Sequence, residues 1–362
     1  MSERKYVLLF FTGLLTALLA VAAFDRIVDP FWYFRDFSFR GFNEVKTKFR
    51  RYERHVKPEI LVREQPESVI FGSSYAEIGL DPGHLAKVSG ESAYNFALAG
   101  ASWKRVYCDV QYAMRYDRNL RTMVLGIHPE SMPARDCSAE IRSMRHPDIL
   151  SFLISADALK ASVETVYEQG KDPPSHTEQG LYYYTRGKAG TEDRFRQFLS
   201  THNPCGETQQ KIELDGVENI IREAEERHVE LKLVVYPRHA MPVELDYLCH
   251  ARPARWQTLS KIVSLTGSGE NVEIWDFEGF HDIALEPVSE ASGRYWQDPA
   301  HFNYEYGNIM LDEMFGKMKP FYGVRLTPGN IHEREKAEEI ERKNYLRSHP
   351  DFDQEVISLS RP

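Results

Sequence analysis

The amino-acid sequence predicts an α/β protein with three layers, in which helices cover both faces of a parallel sheet, preceded by one transmembrane helix. Short apolar segments typical of strands alternate with segments whose apolar residues recur at helical spacing. These strands are almost continuously apolar, as expected for a parallel sheet that is buried on both faces. A run of 19 uncharged residues near the N-terminus predicts the membrane helix.

The chain length and composition fit a folded protein with one large domain or two small ones. The 362 residues are 42% hydrophobic and 12% aromatic, which excludes a mainly disordered chain. We predict four regions, which are a transmembrane anchor or signal segment (1–24), a neck and basic helix (25–64), a main α/β domain (65–325) and a charged helical tail (326–362).

The uncharged run from Tyr6 to Phe24 has two interpretations. Its length favours an uncleaved membrane anchor, whereas the small residues around 20–22 fit the cleavage site of a signal peptide. Both interpretations export the rest of the chain, although the positive residues between 26 and 51 favour the opposite orientation. Trp32 and Tyr33 follow the run, either as an interfacial aromatic belt or as a packed neck.

Several function classes are disfavoured by the charge and by the spacing of metal-binding residues. The formal net charge of -9 gives no support to nucleic-acid binding. None of the 13 histidines forms an HxH or HxxxH pair, and the four cysteines form no CxxC motif, so we expect no metal and no cofactor. In an oxidising compartment the cysteines allow one or two disulfides in any of three full pairings, but Cys108 fits a buried thiol.

The predicted strands of the main domain are 68–71, 93–98, 122–127, 230–237 and 272–277. The predicted helices are a basic one over 43–64, followed by 102–116, 149–167, 216–228, 254–266 and one from about Tyr304. The polar segment 168–211 reads as a surface excursion or as a lid, and the charged stretch 333–343 reads as a solvated helix. Functional residues of a parallel sheet gather at the carboxyl ends of its strands.

The stretch "FGSSYAEIG" follows the first predicted strand and contains the spacing G-x-S-x-x-x-x-G from Gly72 to Gly79. A serine at this position commonly caps the next helix. Alternatively Ser74 is a nucleophile, since the glycine permits a tight turn and the helix offers N-terminal amides to developing negative charge. We expect Ser74 to be the nucleophile and Ser73 to be a turn or cap residue.

Asp298 and His301 form a D-x-x-H arrangement just before the last predicted helix of the domain. Three residues apart on one loop, the carboxylate can hold one imidazole nitrogen while the other faces a serine. The alternative is that Asp298 caps the helix and His301 packs beside it. The pair and Ser74 together favour a catalytic interpretation.

With these blocks the chain resembles the SGNH (GDSL-like) hydrolase superfamily, and in particular its membrane-anchored branch of alginate O-acetylation and D-alanylation proteins. Gly72-Ser73-Ser74 resembles the first sequence block of the superfamily, and the segment from Asp298 to His301 resembles its last block. The resemblance implies a flavodoxin-like parallel sheet and an oxyanion hole that includes the N–H groups of Ser74 and Gly100. The usual Gly-x-Asn-Asp block is replaced here by Gly126-Ile127-His128, so either His128 is the third donor or the third donor is missing.

The resemblance implies acyl transfer outside the cytoplasm, with Ser74 as nucleophile, His301 as general base and Asp298 as its orienter. The expected protein is a single-pass O-acetyltransferase of the bacterial inner membrane, with its catalytic domain in the periplasm, or a secreted one if the segment is cleaved. Its expected partners are a membrane-bound O-acyltransferase and a polysaccharide acceptor. The alternatives are an esterase and a non-catalytic assembly factor on the same fold.

Four further residues are candidates for substrate binding. Arg238 and His239 follow the fourth strand and could contact an anionic substrate. Tyr295 and Trp296 lie beside Asp298, where their rings could stack on a sugar, although aromatic residues in this position are as often part of a core.

Overall fold

The computed structural model describes residues 3–145, 148–183, 191–202, 204–205, 211–266, 271–288 and 293–361. The helices are α1 Glu3–Val28, α2 Phe49–Glu64, α3 Ser74–Gly79, α4 Pro82–Ser89, α5 Trp103–Tyr116, α6 Ser138–Arg145, α7 Ile149–Leu153, α8 Ala156–Glu168, α9 Thr191–Thr201, α10 Asp215–Glu226, α11 Ala240–Leu248, α12 Arg252–Leu265, α13 Tyr304–Met314, α14 Ile331–Ser348 and α15 Phe352–Ser360. The strands are β1 Ser68–Phe71, β2 Ala93–Asn95, β3 Thr122–Ile127, β4 Glu230–Val235, β5 Val272–Asp276 and β6 Val324–Leu326.

The described residues divide into two compact units, which do not coincide with the predicted regions. The first unit comprises 1–64 and 138–177, and the second comprises 65–137 and 178–362. The segment 138–177, which the sequence placed in the main domain, therefore belongs with the neck.

The second unit contains a six-stranded, mostly parallel sheet with the order β2-β1-β3-β4-β5-β6. Neighbouring strands from β2 to β5 are parallel, and β6 pairs antiparallel with β5. All residues of β1 and β3 are buried, which agrees with the continuous apolar pattern of their sequences. The carboxyl ends of β1, β3, β4 and β5 meet at one edge, where the candidate site lies.

Most predicted elements are confirmed, although the strand predicted at 230–237 ends at Val235 and the basic helix begins at Phe49. Three further differences are the following. The predicted helix 149–167 is interrupted, because Ser155 accepts a hydrogen bond from the N–H of Ala158 and caps a new helix, α8. The strand predicted at 93–98 ends at Asn95. The short strand β6 was not predicted, since three residues carry too weak a pattern.

Two glycines allow α3 to lie very close to α13 in the second unit. A Cβ atom on Gly79 would overlap with the ring of Phe302, and one on Gly307 would overlap with the carbonyl oxygen of Gly79. Phe302 belongs to a buried core with Trp296 and Tyr306. This contact fixes the helix that begins at Ser74 against the loop that contains His301.

The predicted charged tail is part of the folded second unit. Phe352, Val356 and Leu359 of α15 pack with Phe195 of α9 and with apolar residues of α11. Helix α14 buries Arg334 and Glu338 in addition to its exposed charges. The predicted charged helix at 333–343 is therefore present as part of α14, and beyond its exposed charges it also has a packed face. Part of the polar segment 168–211 forms α9, and the rest of its "GLYYYTRG" stretch after Tyr183 lies outside the described residues.

The first unit connects α1 to a compact neck. The carboxylate of Asp29 accepts the backbone N–H groups of Tyr33, Phe34 and Arg35, and the Lys46 ammonium donates to the carbonyl of Val28 at 2.9 Å. The ring of Tyr33 is buried and stacks on Phe152 at 4.6 Å, as expected for a packed neck.

Helix α1 is the one described helix that is long and apolar enough to cross a membrane, judged by length and composition. Signal sequences near an N-terminus share these properties. Its 26 residues correspond to about 39 Å.

All four cysteines form disulfides within the second unit, namely Cys108–Cys137 and Cys205–Cys249. The prediction that Cys108 is a free buried thiol was wrong. Cys108 is fully buried on α5, so burial alone did not distinguish a thiol from a disulfide.

Candidate active site

Ser74, His301 and Asp298 form one continuous hydrogen-bonded chain. The hydroxyl of Ser74 lies 2.8 Å from Nε2 of His301, and Nδ1 of the same ring lies 2.8 Å from Oδ2 of Asp298. An ionised carboxylate only accepts, so Nδ1 carries a proton and Nε2 is free to accept from the serine hydroxyl. The fold thus brings Ser74 into contact with His301, which lies 227 positions further along the chain.

Close packing beneath Tyr236 fixes the backbone around Ser74. Gly72 has φ +150°, and a Cβ on either Gly72 or Gly126 would overlap with the Tyr236 hydroxyl. That hydroxyl accepts the backbone N–H of Ser73 at 3.1 Å. Ser73 is the N-cap residue of α3, but its side chain makes no capping hydrogen bond. Ser74 consequently occupies the first helical position at the carboxyl end of β1.

A tight loop before α13 holds Asp298 and His301. Trp296 and Phe302 form an isolated antiparallel bridge and are both buried, and the N–H of Gln297 donates to the carbonyl of His301 at 2.7 Å. The chain therefore enters and leaves this loop at closely spaced points, with its two buried aromatic residues as anchors.

The Asp298 carboxylate is held by several donors. Its Oδ1 atom accepts the backbone N–H groups of Ala300 and His301, both at 2.9 Å. Burial raises the pKa of Asp298, but the hydrogen bond and charge of His301 and these N–H groups together outweigh it, so that its pKa lies below 3.8. Asp298 is therefore ionised at neutral pH and can orient and stabilise an imidazolium.

The ring of Tyr75 packs on the His301 imidazole, and two further rings pack on Tyr75. Tyr75 stacks on the imidazole with ring centroids 4.6 Å apart and planes inclined by 29°, and Tyr236 in turn stacks on Tyr75 at 4.9 Å. His128 meets Tyr75 edge-on at 4.8 Å. Burial lowers the pKa of His128 to about 4, with the positive charge of Arg238 as the next cause, so His128 is neutral at neutral pH.

A cleft of about 290 Å³ opens beside Ser74. Gly100 and His128, the two candidate oxyanion-hole residues apart from Ser74, both line it. Trp103 and Met132 contribute apolar walls. Gly100 has φ +67°, a conformation that favours glycine.

Two predicted substrate-binding residues lie in the core instead. His239 is 2% exposed, accepts the N–H of Met241 at Nδ1 and contacts the carbonyl of Glu286 at Nε2, so both nitrogens are used. Trp296 is 1% exposed, and its indole N–H donates to the carbonyl of Ile283. Neither residue lines the cleft. Their assignment to substrate binding is corrected accordingly.

The other two predicted residues remain partly accessible. Tyr295 is half-buried against the core, and the guanidinium of Arg294 lies over its ring. Arg238 lines a second cavity and pairs with Glu278 at 2.7 Å and with Asp246 at 2.6 Å. Its charge is thus already compensated within the protein.

Sequence reasoning missed the roles of Tyr75, Tyr236 and Glu130. Tyr75 follows the candidate nucleophile directly, yet a tyrosine gives no signal of which ring it will contact. Glu130 lines both cavities, and burial raises its pKa. Only the three-dimensional arrangement of the strand ends reveals these roles.

No model of a known protein family matches this chain, and none of the curated proteins matches its sequence. The chemistry available to the site is therefore inferred from its geometry. A hydroxyl, a base and an orienting carboxylate at hydrogen-bonding distances can perform nucleophilic catalysis through a covalent acyl intermediate.

Proposed function

We propose that this protein is a serine acyltransferase, specifically an O-acetyltransferase that acts on an exported polysaccharide. The observation that carries the proposal is the Ser74–His301–Asp298 chain, with both hydrogen bonds at 2.8 Å. No cofactor is needed for this chemistry, because the protein side chains supply the nucleophile and the base.

In the first half-reaction Ser74 Oγ attacks the carbonyl carbon of an acyl ester or thioester. His301 Nε2 takes the hydroxyl proton, and the tetrahedral oxyanion is stabilised by the N–H groups of Ser74 and Gly100, with His128 as third donor. The bond from carbon to the leaving oxygen or sulfur breaks, and the leaving group takes the proton from His301. In the second half-reaction an acceptor hydroxyl attacks acyl-Ser74, gives its proton to His301, and Ser74 leaves with that proton.

The fold supports the resemblance to the SGNH hydrolase superfamily. The order β2-β1-β3-β4-β5 is that of flavodoxin-like three-layer folds, and the serine follows β1 while the Asp–His pair precedes a late helix. We propose this fold assignment together with the function, and the proposed catalytic domain is the part of 65–325 that belongs to the second unit.

The proposed location is the outer face of a bacterial inner membrane, with α1 as a single anchor. Two disulfides support an oxidising compartment such as the periplasm. A membrane-bound O-acyltransferase is the proposed source of the acyl group. Cleavage after the apolar run would release a secreted form.

A carbohydrate esterase is the second candidate, and solvent access to the base favours it. The side chains of His301 and Asp298 are 24% and 18% exposed, so water can compete with a sugar hydroxyl for acyl-Ser74. The third candidate is a non-catalytic assembly factor on the same fold, which an inactive wild-type protein would favour.

The test uses the full-length chain in detergent, p-nitrophenyl acetate as acyl donor and a set of oligosaccharides as acceptors. We expect Ser74→Ala to lower ester turnover by about 1,000-fold or more, because the nucleophile is lost. Ser73→Ala is the matched control, since its side chain makes no capping bond, and should stay close to wild type. Acetylated acceptor in mass spectra indicates a transferase, and free acetate alone indicates an esterase.

Equal turnover by wild type and Ser74→Ala would contradict the proposed nucleophile. A folded wild type that neither cleaves the ester nor becomes acetylated would favour the assembly factor.

A further inference from the structure

A second cavity of about 310 Å³ adjoins the Ser74 cleft. The two cavities share His128, Glu130 and Tyr236 as lining residues, so these side chains separate them. The volume is at the lower end of the range for small-molecule sites, about 300–1,000 Å³, and suits a group of the size of a sugar ring.

The charged groups around the second cavity compensate each other. Its lining includes two guanidinium groups, Arg238 and Arg255, and three carboxylates, Glu130, Asp246 and Glu278. Burial raises the pKa of Glu278, but its arginine neighbours outweigh this effect and keep the pKa well below its usual value. The cavity thus carries no excess positive charge that would attract an anion.

The arginines are already engaged by these carboxylates. Arg255 pairs with Asp276 at 2.7 Å and with Glu278 at 2.9 Å, and Arg238 uses Nε and Nη2 for Glu278 and Asp246. The Nη1 group of Arg238 makes no hydrogen bond within the described part of the chain, and the side chain is 22% exposed. Arg238 therefore offers N–H donors to a ligand while its positive charge is compensated by Asp246 and Glu278.

The remaining lining is suited to the faces of a sugar ring. Ile212, Ala251 and Ala254 are apolar, and Tyr236 and His128 contribute rings. Glu130 supplies an acceptor for hydroxyl groups between the two cavities. A few polar groups in an apolar cavity are typical of sites that select by hydrogen bonding and shape.

We propose that the second cavity is the acceptor subsite and that it binds an uncharged sugar residue rather than an acidic one. This inference rests on the proposed function, because the bound residue presents its hydroxyl to acyl-Ser74. A uronic acid would lose the hydration of its carboxylate in this cavity without gaining an uncompensated cation, because Arg238 and Arg255 are already paired with Asp246 and Glu278. The subsite thus selects neutral polysaccharides.

The test compares acceptors on the full-length wild type in detergent, with p-nitrophenyl acetate as donor. Cellotetraose and maltotetraose are the neutral probes, and tetragalacturonic acid is the acidic probe. We expect acetyl transfer to a neutral tetrasaccharide to exceed transfer to the acidic one by about tenfold or more. This comparison does not depend on any variant folding.

A cavity-filling variant tests the location. Ala254 is half-buried on α12 and lines the second cavity but not the Ser74 cleft, so Ala254→Phe should leave ester cleavage within about twofold of wild type and lower transfer to the neutral sugar about tenfold or more. Ala337→Phe, at a half-buried position on α14 outside both cavities, is the matched control.

The outcomes separate the two proposals. Absence of Ser74-dependent ester cleavage refutes the proposed function itself. Ester cleavage with equal transfer to acidic and neutral probes, with transfer to neither, or with full transfer by Ala254→Phe, refutes the neutral acceptor subsite and leaves the nucleophile standing.

Discussion

Tyr75 packs on the face of the candidate base, whereas Asp298 holds the edge of the same ring. Its ring lies between His301 and Tyr236, with interplanar angles of 29° and 26°. A ring stacked on an imidazole restricts its rotation and stabilises the imidazolium form that arises during catalysis. Tyr75 thus acts through His301 as a positioning residue.

We expect Tyr75→Phe to retain ester turnover and Tyr75→Ala to lose about three- to tenfold in kcat, because an aromatic pair contributes about 0.5–1.5 kcal/mol. Steady-state kinetics on p-nitrophenyl acetate over a range of pH would measure both variants. The stacking role requires the loss in Tyr75→Ala to appear in kcat and in the pH profile. A loss in Tyr75→Phe of the same size would instead assign the effect to the hydroxyl group.

Asp298 links the site to stability at low pH. The pKa of Asp298 in the folded protein lies below 3.8, its ordinary value in an unfolded chain. The ionised carboxylate therefore stabilises the fold at pH values above 3.8, and this contribution disappears as the pH falls through the pKa of the folded state. We expect Asp298→Asn to lower the free energy of unfolding near neutral pH and to differ less from wild type below 3.8. Chemical unfolding curves at several pH values measure this difference. A difference that is constant over the whole pH range would exclude the ionised carboxylate as its cause.

At this scale the sequence predicted the three residues of the hydrogen-bonded chain but not their surroundings. Ser74 and the Asp298–His301 pair follow from spacing, because local motifs fix a loop and its side chains. Burial of His239 and Trp296 depends on elements far along the chain, such as the carbonyl groups of Glu286 and Ile283. Such contacts leave no local pattern in the sequence.

Among the secondary-structure elements, the contact of α3 with α13 has the most direct effect on the site. Gly307→Ala would force a methyl group against the carbonyl oxygen of Gly79. We expect a loss of about 1–3 kcal/mol in the free energy of unfolding and a fall in ester turnover, since the two helices must separate. Thermal unfolding and kinetics would be measured together.

Gly329→Ala is the control for this substitution. A Cβ at Gly329 would have only Thr327 Oγ1 near it, at 3.8 Å, so we expect little change. Wild-type turnover in a correctly folded Gly307→Ala would show that the spacing of the two helices does not set the serine–histidine distance.

The elements themselves were predicted best where the apolar pattern is continuous. Strands β1 and β3 agree with their predicted bounds because both are buried along their whole length. The interruption at Ser155 and the three-residue strand β6 depend on a single cap and on pairing with β5, respectively. A periodicity that is averaged over ten or more residues does not resolve features of this size.

For the second unit as a whole, buried neutral histidines predict sensitivity to mild acid. Burial lowers the pKa values of His128, His239 and His281 from 6.5 to about 4. The unfolded chain therefore binds more protons than the folded chain between these values, and stability falls as the pH falls through this range. Each histidine contributes at most about 3 kcal/mol to the loss.

We expect the free energy of unfolding to decrease between pH 6.5 and about 4, and His281→Asn to make this decrease smaller. His281 Nδ1 accepts the N–H of Ala284, so protonation at Nδ1 removes an acceptor. Unfolding curves in this pH range are the measurement, and His332→Asn is the control, because that side chain is 78% exposed. An unchanged slope in His281→Asn would assign the acid sensitivity to other groups.

The division into two units was the least predictable property of the molecule. Residues 138–177 follow the first three strands in the chain, yet they belong with the neck. The pairing of the cysteines was equally open, because the sequence separations of 29 and 44 residues carry no preference by themselves. Both properties depend on contacts between segments that are distant in the chain.

Helix α1 continues into the rest of the first unit without a flexible linker. Asp25 and Val28, in the last turn of α1, are already buried, and α1 contacts α7 and α8. A protein whose anchor is joined to a flexible linker can sample a volume set by the linker length, but a rigid junction confines its first unit to the bilayer surface. With α1 in the membrane, the neck cannot search the surrounding compartment, so any partner of this unit must itself come to the membrane surface.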